Sequence, residues 1–128
     1  MRYYISKTIA TDFDDAIIRV TEALKKEGFG ILSDIDIKTT LRKKLDIDFR
    51  NYRILGACNP PFAYQALLAE DHIGTMLPCN VIVQEHAEGH VEVSAVDPIA
   101  SMQAIENPDL QDIATEVRAR LKRVIDSL

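Results

Sequence analysis

The chain has 128 residues, of which 47% are hydrophobic and 27% are charged, and its formal net charge is −5. These proportions are typical of a globular protein, and the length predicts one domain over residues 1–128. The negative charge argues against a nucleic-acid partner, because phosphate binding needs clustered Lys and Arg. No apolar run approaches the ~20 residues that span a bilayer, so we expect no membrane partner.

The first predicted elements are a strand and a helix. Residues 1–8 alternate aromatic and β-branched side chains with others, which is typical of a strand. Thr11 begins the helix, since Asp14 three residues later makes a weak capping box. Gly28 ends it, because glycine adopts the left-handed conformation of a helix C-cap at no steric cost.

A second strand and a short basic helix follow. Over residues 29–37 we expect a strand with Phe29, Ile31, Ile35 and Ile37 on one side. Asp36 then caps a helix over residues 39–45, and a linker leads to a third strand over residues 52–58.

The next predicted helix begins at Asn59-Pro60. Asparagine accepts hydrogen bonds from free amides, and proline at the first helical position sacrifices none. The helix fades over residues 70–74, and Pro78 precedes a strand over residues 80–85.

The remaining chain predicts a hairpin and two helices. The polar turn 85–90 joins the strand before it to a strand over residues 91–96, which Asp97-Pro98 ends. A short helix covers residues 99–105, and a long amphipathic helix follows Asn107-Pro108. The order of elements predicts an α+β fold, with helices on one face of a mostly antiparallel sheet.

Five segments of this order carry a family resemblance: residues 28–36 (GFGILSDID), 40–45 (TLRKKL), 52–61 (YRILGACNPP), 77–83 (LPCNVIV) and 91–98 (VEVSAVDP). The chain resembles the bacterial and archaeal domain of unknown function 302 (DUF302) family over nearly its whole length. The resemblance implies a TATA-binding-protein-like β-α-β(4)-α arrangement with extra short helices, and members that self-associate. It implies no activity.

The two cysteines lie in the candidate site. Each is followed by an asparagine, and from the residues alone the strands that carry them are either antiparallel neighbours or parallel ones joined by a crossover. Antiparallel pairing, which the resemblance implies, puts the thiols within one or two residue spacings; parallel pairing separates them by roughly 20 Å. The antiparallel case predicts a ligand pocket formed by Cys58, Asn59, Pro60, Pro61, Cys79 and Asn80.

The cysteines allow a structural and a chemical interpretation. Free cysteines commonly fill tight places in a core. Alternatively, Cys58 precedes a helix N-terminus, whose partial positive charge favours a thiolate. No metal or other cofactor is expected, although Cys58, Cys79 and His72 are the one Cys/His set worth testing for zinc. His86 and His90 are interpreted as solvated turn residues.

We therefore expect a non-enzymatic binding or interaction module that acts as a homodimer in the cytoplasm and binds a small molecule or a protein. Two cysteines and no signal peptide favour the reducing cytoplasm. Subunit contacts are expected at the strand over residues 3–9 or at the hairpin edge. The alternative is a thiol-based redox or metal-linked function that uses Cys58 and Cys79.

Overall fold

A computed structural model describes residues 2–128 of the chain. Its elements follow the predicted order, with a 3-10 helix added between the third helix and the fourth strand. They are β1 (Tyr4–Ala10), α1 (Phe13–Lys26), β2 (Gly30–Asp36), α2 (Ile37–Leu45), β3 (Tyr52–Cys58), α3 (Pro60–Ala69), the 3-10 helix (Asp71–Met76), β4 (Cys79–Ala87), β5 (His90–Val96), α4 (Pro98–Ser101) and α5 (Pro108–Asp126). No helix within residues 2–128 combines the length and apolarity that a bilayer crossing requires.

The five strands form one antiparallel sheet in the order β1-β5-β4-β3-β2. The predicted α+β class is therefore confirmed. β3 and β4 are antiparallel neighbours, so the parallel crossover is the wrong alternative. The β4–β5 hairpin occupies the middle of the sheet, so neither of its strands has a free edge. The hairpin therefore cannot supply the strand edge that was predicted for subunit contacts. The edges are β1 and β2.

The core lies between one sheet face and the two long helices. Val20 and Leu24 of α1 and Leu121 of α5 are fully buried against this face. The strands contribute alternate residues such as Val81 and Val93, as expected where one face of a sheet is covered. A smaller cluster of Ala66, Ile73 and Leu110 joins α3, the 3-10 helix and α5.

The N-cap of the first helix lies one residue after the predicted Thr11. Asp12 is its N-cap, and the Asp12 carboxylate accepts from the amide of Asp15 at 2.7 Å. The Thr11 hydroxyl instead donates to the Asp15 carboxylate at 2.6 Å. The carboxylate of Asp12 thus takes the capping role expected of Thr11. Gly28 has φ +87°, which confirms the predicted left-handed helix end.

A bulge in β2 changes the face on which its later residues lie. Ile31 pairs with Ala57 and Ser33 pairs with Gly56, so Leu32 is an extra residue. One extra residue reverses the alternation of side chains. Ile35 therefore leaves the face of Ile31 and is 47% exposed. The predicted single face for Phe29, Ile31, Ile35 and Ile37 is wrong, and Ile37 belongs to α2.

The end of β5 is fixed by a buried carboxylate. Asp97 follows the strand as predicted and caps α4 by accepting from the amide of Ile99 at 3.0 Å. Its other oxygen accepts from Arg118 Nε at 3.0 Å. Because Arg118 belongs to α5, this ion pair ties the end of the sheet to the last helix.

Candidate functional site

An apolar cavity of ≈ 300 Å³ lies where β3 ends, α3 begins and β4 begins. Its wall combines residues from the first two-thirds of the chain with residues from α5 and the segment before it. They are Phe29, Leu32, Ala57, Cys58, Asn59, Phe62, Ala63, Ala66, Leu67, Leu77, Pro78, Cys79, Pro98, Met102, Ile113, Ala114 and Val117. Apart from the two thiols, Asn59 is the one polar residue in this set.

Small residues contribute to the cavity wall from two helices. Ala63 and Ala66 belong to α3, and Ala114 belongs to α5. Alanine supports a helix but fills little volume, so larger side chains at these positions would occupy part of the cavity. The outer side of α3 is also apolar, since Tyr64 is 65% and Leu68 is 69% exposed.

The two cysteines border this cavity from adjacent strands. Ala57 pairs with Cys79, so Cys58 lies one residue beyond the partner of Cys79, which confirms the predicted closeness of the two positions. Burial, and secondarily the charge of Cys58, raises the pKa of the Cys79 thiol to about 11. Cys79 is therefore protonated at neutral pH and is a weak nucleophile, because the thiolate is the reactive form.

The start of α3 offers little electrostatic help to a thiolate. Pro60 and Pro61 occupy its first positions, where they have no N–H groups, and the Ala63 amide already donates to the Asn59 carbonyl at 2.9 Å. Free amides carry most of the partial positive charge at a helix N-terminus. Of these amides, only that of Phe62 remains, and this weakens the case for an activated Cys58.

Asn59 occupies the N-cap position but does not cap with its side chain. Its carboxamide Nδ2 instead donates to the backbone oxygen of Glu27 at 3.2 Å, which corrects the predicted capping role. Arg120 Nη1 donates to the same oxygen at 3.2 Å, and its guanidinium lies 5.1 Å from the centroid of the Phe62 ring. Asn59 thus ties the end of β3 to the end of α1.

The structure brings together half of the predicted pocket residues. Cys58, Asn59 and Cys79 line the cavity. Pro60 and Pro61 are exposed at the first turn of α3 and do not line it. Asn80 is also exposed and pairs with Gly56, with its side chain in a separate groove on the opposite sheet face.

The histidines lie away from the cysteines. His72 is in the 3-10 helix with its side chain 90% exposed. Within residues 2–128, no three His, Cys, Asp or Glu side chains are grouped as a metal site requires. His86 lies in the hairpin, 3.0 Å from the carboxylate of Glu92.

Sequence reasoning missed the wall that α4 and α5 contribute. Met102, Ile113, Ala114 and Val117 come from the last third of the chain, whereas the predicted pocket used only the segments around the cysteines. The amphipathic pattern of α5 predicts one buried face, which carries Leu110, Ala114, Val117 and Leu121, but it does not predict a cavity beside that face. Ala114 is the residue that could have indicated this wall. A small residue among the buried positions of a helix marks either a close contact with a neighbouring element or an empty space beside the helix.

Comparison with known proteins places this geometry in a family. The model of the domain of unknown function DUF302 matches residues 5–128. The chain belongs to the DUF302 family. It is also similar to the crystal structure of an uncharacterized conserved DUF302 protein from Bacillus stearothermophilus, with 28% identity, 98% of each chain covered and a TM-score of 0.90. No curated protein matches the chain. The resemblance predicted from the five sequence segments is confirmed, and with it the α+β arrangement.

Proposed function

We propose that this DUF302 chain is a non-enzymatic module that binds a small apolar molecule in the cavity beside Cys58 and Cys79. The observation that supports the proposal is the cavity itself, whose wall is apolar except for Asn59 and two thiols. Small-molecule sites have this character: mostly hydrophobic walls with a few placed polar groups.

The cavity opens to solvent, since Leu32 and Leu67 in its wall are 71% and 45% exposed. Apolar surface in contact with water is unfavourable, and covering it with an apolar molecule is favourable. A ligand that fills the space beside Ala63, Ala66 and Ala114 would remove this surface from water.

The cavity wall favours binding over acid–base catalysis. Its residues include no carboxylate, histidine or lysine, and the pKa of Cys79 is raised to about 11. A general acid or base works best when its pKa lies near the working pH. Cys58 aside, the lining side chains thus offer no group suited to proton transfer at neutral pH.

Binding can be measured with the neutral fluorophore N-phenyl-1-naphthylamine. We expect its fluorescence to rise and saturate at one molecule per chain, because it leaves water for an apolar site. Ala114→Leu should weaken binding at least tenfold, since the added side chain occupies the cavity. Thr115→Leu, at an exposed position of the same helix, is the matched control.

Two results would count against a binding cavity. One is no saturable fluorescence with the wild-type chain. The other is equal affinity for the wild type and for a folded Ala114→Leu variant, which would place the dye elsewhere. A melting temperature for Ala114→Leu equal to or above that of the wild type shows that the variant is folded.

The proposed module is a homodimer that pairs through β1. This strand is an edge of the sheet, and an edge presents unpaired N–H and C=O groups to another chain. Replacing Ser6 of β1 with proline should shift the chain from dimer to monomer in light scattering at micromolar concentration. A wild-type chain that is monomeric throughout this range would contradict the proposal.

A thiol-based function with Cys58 as nucleophile or ligand and Cys79 as its partner is the second candidate. It is favoured by the fact that both thiols border one cavity. The raised pKa of Cys79 and the two prolines after Asn59 disfavour it. Rapid alkylation of Cys58 in the folded chain at neutral pH would support this candidate.

The two free cysteines also support the proposed cytoplasmic location, because thiols stay reduced in the cytoplasm.

A further inference from the structure

We propose that the cavity selects uncharged molecules that carry a hydrogen-bond donor, such as a hydroxyl or an amide N–H, over carboxylates and other anions. This inference rests on the proposed binding function and adds the chemical class of the ligand. It follows from which polar atoms at the cavity wall are already bound and which are free.

The free polar atom is the side-chain oxygen of Asn59. Asn59 is only 7% exposed and lines the cavity. Its Nδ2 donates to the Glu27 carbonyl, which can only accept, so the orientation of the carboxamide is fixed. The oxygen Oδ1 accepts no hydrogen bond from residues 2–128, and it is not fully buried, since no fully buried side-chain atom there lacks a partner. On this proposal a ligand in the cavity, whose wall includes Asn59, donates to Oδ1 and satisfies it.

The same wall offers few donors to an anion. Pro60 and Pro61 remove two amides and the Ala63 amide is used within α3, so the Phe62 amide is the one free amide after Asn59 in the first turn. The protonated Cys79 thiol is only a weak donor. An anion that enters this cavity would exchange its hydration for that one amide at most, and burial of a charge without sufficient partners is strongly unfavourable.

Arg120, the cation that lies over the Phe62 ring, is already engaged. Arg120 Nε donates to the Glu116 carboxylate at 3.2 Å, and its Nη1 donates to the Glu27 carbonyl. Its guanidinium also covers the ring of Phe62 and is not part of the cavity lining. Since Glu116 neutralises its charge, Arg120 is a poor partner for a carboxylate ligand.

Three probes of similar size test the selection: 1-octanol, methyl heptyl ether and octanoate, each titrated by calorimetry at pH 7. We expect 1-octanol to bind about tenfold more tightly than the ether, because one hydrogen bond to Oδ1 separates them. Octanoate should bind weakest. Asn59→Ala should remove the preference for 1-octanol over the ether and leave the ether affinity nearly unchanged. Asn80→Ala, outside the cavity, should keep the preference.

The outcomes separate this inference from the binding function on which it rests. Saturable binding of 1-octanol and the ether with equal affinity would overturn the inference and leave the apolar site intact. Tightest binding of octanoate would overturn it in favour of anion recognition through Arg120. Failure of all three probes would contradict the binding function itself. The comparison within the wild type decides the matter even if Asn59→Ala does not fold.

Discussion

Replacing Cys79 with aspartate is expected to lower the free energy of unfolding at pH 7 by about 3–5 kcal/mol. Cys79 packs against the main core, where burial already raises the pKa of its thiol to about 11. The same burial would act on a carboxylate, which has no cation beside it among the cavity residues. Denaturant unfolding followed by circular dichroism measures the loss.

This loss should depend on pH in a defined direction. Burial raises the pKa of a carboxyl group, so the folded Cys79→Asp variant holds its proton to higher pH than the unfolded chain does. Its stability is then greatest below the unfolded pKa of about 4 and falls as the pH rises through the folded pKa. The difference from the wild type should therefore shrink in acid.

Serine substitutions supply the control for that experiment. Cys58→Ser and Cys79→Ser add no charge, and we expect Cys58→Ser to leave the fold intact with a change below about 1 kcal/mol. If Cys79→Asp and Cys58→Ser produced equal, small changes, the placement of Cys79 against the core would be wrong. Alkylation of the wild type adds a second check, since the Cys79 thiol should react only on unfolding.

Periodic patterns in the sequence predicted the elements well because each element satisfies its own local rules. The stripe of α5, the glycine at 28 and the carboxylate at 36 each act within one element. Pairing between elements is different. The twenty residues between Cys58 and Cys79 permit either a return beside β3 or a crossover, and the register of the sheet decides between them.

Two features of the site were not predicted from the sequence, because one depends on a contact between distant residues and the other on a single added residue. Asn59 has the sequence context of a cap, yet the Glu27 carbonyl, thirty-two positions earlier, takes its side chain. Leu32 is one residue too many for the pairing of β2 with β3, and an alternating pattern does not show where a bulge falls. The bulge matters because Leu32 borders the cavity.

Gly56 in β3 is the second position where a small change should have a large effect. A Cβ atom there would lie 2.7 Å from Cγ of Pro78 and would also overlap the Ser33 hydroxyl. The hydroxyl can rotate away, but the ring of Pro78 cannot. Gly56→Val should therefore lower the free energy of unfolding by about 3 kcal/mol, although valine favours strands.

Gly30→Val is the matched control, because a Cβ at Gly30 meets no atom within 4 Å and Gly30 lies in the neighbouring strand β2. Valine there should be neutral or slightly stabilising. Ser33→Gly combined with Gly56→Val should recover only part of the loss, since Pro78 stays in place. Full recovery would show that Ser33 alone sets the limit at Gly56. Pro78 also lines the cavity, so its displacement in Gly56→Val should weaken N-phenyl-1-naphthylamine binding, which links the packing of β3 to the site.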